Sequence, residues 1–195
     1  MEDEKTVLLC GVGGQGTILA ADLLARAALA SGFEAKVSEI HGMSQRGGSV
    51  MTVVRFGPDG VASMVCDPGT ADAVVSFETT EALRNLPFVR EGGYLLVADT
   101  SIAPLPVLTG KAQMPGDAQA RLSDAGAVII DAEALARSVG SPKSVNVVLL
   151  GALAARLPFP VRVWEDVIAK RVPPKTVDAN LAAFHEGYRF AQAAS

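Results

Sequence analysis

The chain is poor in the residues that carry electrons, ligate metals or grip nucleic acids. Its 195 residues include only two cysteines, Cys10 and Cys66, with no Cys-x-x-Cys. An iron–sulfur cluster usually takes four thiolates, and zinc takes closely spaced thiolate or imidazole pairs, so no metal site is read here. Each cysteine is instead read as a small buried hydrophobe in a reducing compartment. Basic residues are also scarce: 17 Lys and Arg stand against 21 Asp and Glu, a net charge of −4. That argues against a nucleic-acid binder, which normally carries a basic stripe to neutralise phosphates. A small anionic cofactor stays compatible with it, because backbone N–H groups alone can cradle an anion. The longest apolar stretch, Val147 to Ala155, falls far short of the roughly 18 residues of a membrane helix. The opening Met-Glu-Asp-Glu-Lys lacks the positive start of a secretory signal. A cytoplasmic protein is the expectation.

What is present is a well-filled core. With 49% apolar residues and no compositional break, the chain reads as a single domain over 1–195. Thr6 to Cys10 is a continuous apolar run, as in a strand buried on both faces. A glycine turn follows over Gly11 to Gly16, then a helix over Thr17 to Ser31, its inner side expected at Ile18, Leu19, Ala21, Leu24, Ala25 and Ala28 and its end at Gly32. A strand over Ala35 to Ile40 completes a βαβ unit with two parallel strands. Ser49 to Phe56 and Val61 to Cys66, separated by Gly57-Pro-Asp-Gly60, predict a β-hairpin, which makes the sheet mixed. Strands are expected at Ala73–Phe77, Tyr94–Ala98 and Ala127–Ile130, and helices at Thr79–Leu86 and Asp117–Ala125. Residues 102–116, with three of the eleven prolines, read as a surface connection holding one short edge strand. Helices over 131–138, 145–157, 161–170 and 176–194 follow, separated by prolines. The fold class is α/β: a three-layer, Rossmann-like domain with a mostly parallel, mixed sheet, one hairpin and a helical C-terminal part.

Two segments carry the polar chemistry. Gly11-x-Gly13-x-x-Gly16 closes a strand and opens a helix, the context in which glycines let backbone approach a phosphate at a helix N-terminus. Gly14 bares the turn further, and Gln15 and Thr17 add side-chain donors. The same glycines equally serve close strand-to-helix packing. A dinucleotide reading also wants an acid about 20 residues further on, and Glu39 comes near that. The second segment is His41-Gly-Met-Ser-Gln-Arg-Gly-Gly-Ser49, which gathers an imidazole, hydroxyls, an amide and a guanidinium on a glycine-rich loop. In a parallel sheet it leaves from the same edge as the glycine turn. Arg46 offers a planar fork for phosphate or carboxylate, and His41 can titrate near neutral pH. A hydrogen-bonded loop histidine and a solvated arginine are the plain alternatives. Candidate ligand-binding residues are therefore Gly11, Gly13, Gly14, Gln15, Gly16, Thr17, Ser44, Gln45, Arg46, Gly47 and Gly48, with His41 and Arg46 as catalytic candidates.

Gly11-Val-Gly-Gly-Gln-Gly-Thr17 followed by Ser38-Glu-Ile-His-Gly-Met-Ser-Gln-Arg-Gly-Gly-Ser49 resembles the gamma-type domain of 2-oxoacid:ferredoxin oxidoreductases. The likeness continues through Ser76-Phe-Glu78, Asn146-Val-Val-Leu-Leu-Gly-Ala152 and Arg171-Val-Pro-Pro-Lys-Thr176 with Asn180, and so spans nearly the whole chain. The second string resembles the arylpyruvate branch, that of the small subunits of indolepyruvate:ferredoxin oxidoreductases. The resemblance implies a cytoplasmic subunit, inactive alone, of an enzyme converting a 2-oxoacid and coenzyme A to acyl-CoA and carbon dioxide while reducing ferredoxin. Thiamine diphosphate, magnesium and iron–sulfur clusters are then expected on a large partner subunit, with coenzyme A possible at the surface of this one. Two other readings stay open: an independent NAD(P)-binding dehydrogenase using the glycine turn and Glu39, and a non-catalytic binding module.

Smaller features have plainer readings. Asn146, inside an apolar helix, must cap it or bond a loop, since an unpaired buried amide costs about 1–3 kcal/mol. Phe184, Tyr188 and Ala191 form a stripe read as core or subunit contact. His185 is expected to face away from that stripe, and Trp164 to pack.

Overall fold

The computed structural model describes residues 4–42 and 48–194. Strand β1 (Lys5–Val12) is buried along nearly its whole length, as its apolar run requires. The glycine turn leads into α1 (Thr17–Ala30), which carries the chain to β2 (Glu34–His41). Strand β3 (Ser49–Gly57) precedes a long connection to β4 (Ala71–Ser76), α2 (Thr79–Asn85) and β5 (Val89–Ala98). Helices α3 (Leu105–Leu108) and α4 (Ala118–Asp124) lead to β6 (Val128–Ile130). Then come α5 (Ala132–Ser138), α6 (Val145–Ala154), α7 (Val161–Arg171) and α8 (Val177–Ala193).

The described residues form a six-stranded sheet in the order β2-β3-β1-β4-β5-β6. Strand β3 runs antiparallel to both β1 and β2, and the pairs β1–β4, β4–β5 and β5–β6 are parallel. The expected mixed, mostly parallel sheet is present, and β1 and β2 do share a direction. They are not neighbours, because β3 lies between them. One face of the sheet packs against α1 and α5 to α8 around Leu24, Phe56, Leu149, Trp164 and Phe184. The other packs against α2 and α4 around Leu8, Val53, Ala82 and Leu122.

The hairpin is real but stands elsewhere: it joins β2 to β3, rather than 49–56 to 61–66. Both edges of β3 are taken, in full register, by β1 and β2, so residues 61–66 cannot pair with β3. That segment is pinned by side chains instead. Lys36 Nζ donates to the Val61 carbonyl at 2.5 Å and Arg55 Nη1 to that of Val65 at 3.0 Å. The edge strand expected in 102–116 is also absent; Pro104 and Pro106 set the single turn of α3. On α1, Ala21, Leu24, Ala25 and Ala28 are buried as expected, together with Ala20, Leu23 and Ala27, and Leu19 is partly buried, whereas Ile18 is 54% exposed. Trp164, Phe184 and Ala191 are core residues. His185 bonds Glu165 across α7 at 2.9 Å. Among the described residues no helix is long and apolar enough to cross a membrane.

Helices α6 and α8 pack closely, because glycines let their backbones meet. A Cβ at Gly151 would sit 2.0 Å from the Phe184 carbonyl oxygen, and one at Gly187 1.8 Å from that of Val148. No L side chain fits either place without moving a helix.

Candidate functional site

Helix α1 leaves β1 toward one face of the sheet and α2 leaves β4 toward the other. The C-terminal ends of β1 and β4 therefore flank a switch in connectivity, the position where open α/β sheets present a crevice. The glycine turn occupies it. Gly14 and Gly16 hold φ of 99° and 83°, a left-handed geometry that costs an L-residue about 1–2 kcal/mol. Gly11 is glycine for a different reason: a Cβ there would lie 2.5 Å from Gln15 Oε1 and 2.9 Å from Phe77 Cβ.

Gln15 closes the crevice floor. Its Oε1 accepts from the Val12 N–H at 2.8 Å, and its Nε2 donates to the Phe77 carbonyl at 2.9 Å. Both ends of its amide are thus engaged within the chain, tying the turn to the end of β4. Asn146, buried on α6, donates through Nδ2 to the Gly16 carbonyl at 3.3 Å. Of the two roles open to that amide, bonding a loop is the one observed. Thr17 is buried beside it.

The second loop leaves the same rim. Gly13 N–H donates to the Gly48 carbonyl at 3.0 Å, so the two segments touch directly. Gly42 N–H donates to the Ser49 carbonyl at 2.8 Å and closes the base of the loop. His41 is exposed and bonds Glu39 Oε2 through Nε2 at 3.1 Å. Ser44, Gln45, Arg46 and Gly47 lie outside the described residues.

Beneath the loop's exit sits an acidic pair: Glu78, from the Ser76-Phe-Glu78 stretch of the resemblance, and Glu81, which the sequence did not single out. Glu78 caps α2, accepting from the N–H groups of Thr80 and Glu81. Burial pushes its carboxyl above the ordinary range despite those donors and the N–H of Ile102. Glu81 is 4% exposed; its Oε2 accepts from Ser49 Oγ at 2.5 Å and its Oε1 pairs with Arg84 at 3.1 Å. An acid closing a strand just before a helix was the available signal for Glu78. Nothing local announces Glu81, whose partner is 32 residues away.

Two clefts open on this rim, separated by Ile102. One, of about 480 Å³, is lined by Val12, Ser49, Glu78, Glu81 and Arg84 and by the 102–108 segment. The other, of about 440 Å³, is lined by Gly14, Gln15, Phe77, Thr100 and Lys143. Arg84 and Lys143 each bring a cation to a cleft that an anionic ligand or partner could use.

The donor chemistry of the described residues does not fit a cluster or a thiamine-bound metal. Cys10 is fully buried in β1, and burial pushes its thiol up to about 12, the reverse of what thiolate ligation needs. Cys66 is buried in the 58–70 connection and its thiol is likewise raised by burial. No group of three His, Cys, Asp or Glu among the described residues could hold a metal ion. The dinucleotide alternative loses its geometry too. Glu39 lies on β2, which β3 separates from β1, so it stands one strand spacing, about 4.7–4.9 Å, beyond the adjacent second strand that the dinucleotide reading needs.

A three-layer α/β domain with a glycine turn at its connectivity switch and a touching hairpin loop defines a class, and the sequence places the chain within it. The model of the pyruvate ferredoxin/flavodoxin oxidoreductase family matches residues 6–190, and the chain belongs to that family. It is 42% identical to the indolepyruvate oxidoreductase subunit IorB of Thermococcus kodakarensis, over 97% of this chain and 96% of that one. It resembles the gamma subunit of a keto/oxoacid ferredoxin oxidoreductase from Geobacter sulfurreducens, with a TM-score of 0.70 and 28% identity over 97% of this chain and 99% of that one. The fold also recurs in a 2-oxoglutarate:ferredoxin oxidoreductase from Magnetococcus marinus, solved with 2-oxoglutarate, coenzyme A and succinyl-CoA bound. There the TM-score is 0.73 with 21% identity, over 99% of this chain and 32% of that longer one.

Proposed function

We propose that the chain is the small subunit of an indolepyruvate-type 2-oxoacid:ferredoxin oxidoreductase, acting in the cytoplasm. The observation that carries this reading is the near-full-length, 42% identity with an indolepyruvate oxidoreductase subunit. The enzyme would convert an arylpyruvate and coenzyme A to the acyl-CoA and carbon dioxide, passing two electrons to ferredoxin. Thiamine diphosphate supplies the carbanion chemistry, and it is assigned with magnesium and the clusters to a large partner subunit, in keeping with the buried, unactivated thiols of this chain. Alone, the chain would be inactive.

Its own part is played at the sheet rim. Gly11, Gly13, Gly14, Gln15, Gly16 and Thr17 shape one wall, and Ser44, Gln45, Arg46, Gly47 and Gly48 supply the facing loop. Gly13 and Gln15 already spend their N–H groups on Gly48 and Val12. The turn therefore serves mainly to fix the loop, and the anion-binding donors are the loop residues, Arg46 foremost, aided by Arg84 and Lys143. The ligand is either the coenzyme A phosphates or an acidic surface of the large subunit.

Co-expression with the large subunit tests both levels. The pair should reduce ferredoxin with indolepyruvate faster than with pyruvate, and only when coenzyme A is present; a pair inert toward arylpyruvates sinks the assignment. Arg46→Ala should weaken the apparent affinity for coenzyme A, or assembly, by at least about 10-fold, since a charge-assisted fork contact contributes about 1.5–3 kcal/mol. Wild-type values for both would remove Arg46 from the site.

A further inference from the structure

We infer that Glu81 is a positioning residue, holding Gly48 and Ser49, at the exit of the second loop, against the glycine turn. This rests on the reading of that loop as the ligand-binding part of an oxidoreductase subunit. A continuous set of bonds supports it. Glu81 Oε2 accepts the Ser49 hydroxyl proton at 2.5 Å, and Ser49 is the first residue of β3, at the point where the loop re-enters the sheet. The Ser49 carbonyl accepts the Gly42 N–H and so closes the loop's base, while the neighbouring Gly48 carbonyl accepts the Gly13 N–H of the turn. Fixing the Ser49 side chain therefore fixes the peptide that bridges the two candidate segments.

Glu81 is suited to hold rather than to react. At 4% exposure it has little access to a ligand, and both its oxygens are engaged, one by Ser49 and the other by Arg84. It stands on α2, which is capped by the buried Glu78. A buried carboxylate at the side of a short, capped helix is a rigid anchor, because moving it breaks charge-assisted bonds in a poorly hydrated place. Ser49 alone could not do this; its hydroxyl would rotate to solvent. Arg84 completes the arrangement from the cleft mouth, its side chain 57% exposed. An anionic group entering that cleft meets Arg84, and through Glu81 its arrival reaches the loop exit.

The test uses Ser49→Ala, Ser49→Thr, Glu81→Ala and the double variant Ser49→Ala/Glu81→Ala, in the full chain and in the assembled complex. In the full chain, amide exchange followed by NMR should speed up at least about 10-fold at Gly13 and Gly42 in both alanine variants, the factor expected on losing a charge-assisted bond. In Ser49→Ala and Ser49→Thr, exchange within α1 and α8 should stay at wild-type rates. In the complex, KM for coenzyme A should rise by a similar factor in the alanine variants, with kcat within about twofold, and Ser49→Thr should restore wild-type KM. The double variant should be no worse than Glu81→Ala. Wild-type exchange at Gly13 in Ser49→Ala overturns the inference whatever the complex does. Faster exchange with an unchanged KM also overturns it, since the loop would then be held but would not serve the reaction. A wild-type complex lacking 2-oxoacid activity defeats the functional reading, and in that case the exchange data alone decide whether Glu81 holds Gly48 and Ser49 against the glycine turn.

Discussion

Gly16 and Asn146 provide a quantitative trial of how the candidate site is built. Gly16→Ala imposes two separate costs. The residue holds φ at 83°, worth about 1–2 kcal/mol against an L side chain. The new Cβ would also lie 2.6 Å from Asn146 Nδ2 and 3.1 Å from its Cγ. Asn146 must then swing out of its bond to the Gly16 carbonyl, leaving a buried amide unpaired for about 1–3 kcal/mol. Together the single variant should lose about 2–5 kcal/mol. Asn146→Ala removes the obstacle, so adding Gly16→Ala to that background should cost only the backbone share. The coupling between the two positions is then about 1–3 kcal/mol, well above the 0.3–0.5 kcal/mol within which independent sites add. Urea unfolding of the four proteins, followed by far-UV circular dichroism, measures every corner of the cycle. Additivity within 0.5 kcal/mol would falsify the account of Gly16 as a residue chosen for its contact with α6.

Three further outcomes are expected. Gly187→Ala drives a Cβ to 1.8 Å from the Val148 carbonyl oxygen, and since the obstruction is backbone it should cost at least about 3 kcal/mol, or about 6–12 °C in melting temperature for a chain of this size; Gly116→Ala, with nothing within 4 Å, is the control. Burial pushes the Asp72 carboxyl upward, but the Thr6 N–H, Lys5 and Arg90 together outweigh it and hold it below the ordinary range. A depressed carboxyl stabilises the fold above its unfolded pKa of about 3.9, and that stabilisation is lost as pH falls through the folded value. Asp72→Asn should therefore be less stable by about 1.5–3 kcal/mol at pH 7, with the difference from wild type shrinking below about pH 4 in acid-unfolding curves. Finally, Cys10 and Cys66, both buried with raised pKa, should resist Ellman's reagent in the native chain at pH 8 and react at once in denaturant; prompt native labelling of Cys10 would contradict its place in β1.

Periodicity and turn chemistry located most elements, because strands such as Thr6 to Cys10 and helices such as Val145 to Ala154 are determined by their own residues. Pairing was another matter. Val61 to Cys66 has the composition of a strand, but whether it becomes one depends on a free sheet edge, and β2 reaches β3 first through an eight-residue register. The rim of the site was legible as two glycine-rich segments, and their contact followed from β1 and β2 sharing a direction. Gln15 illustrates the limit: its residue type suggested a donor for a ligand, and only the fold shows that Phe77 and Val12 already claim it. Glu81 was invisible for the same reason, since its role depends on which strand-end lies above it.

The insertion of β3 between β1 and β2 also sets the order in which the molecule can assemble as it is made. Strand β1 ends at Val12, yet its neighbours end at Gly57 and Ser76. At about 5–20 residues per second, the ribosome leaves this buried inner strand without its second neighbour for about 3–13 s. Throughout that interval β1 keeps an unpaired edge, the feature by which a nascent strand can template pairing with other chains.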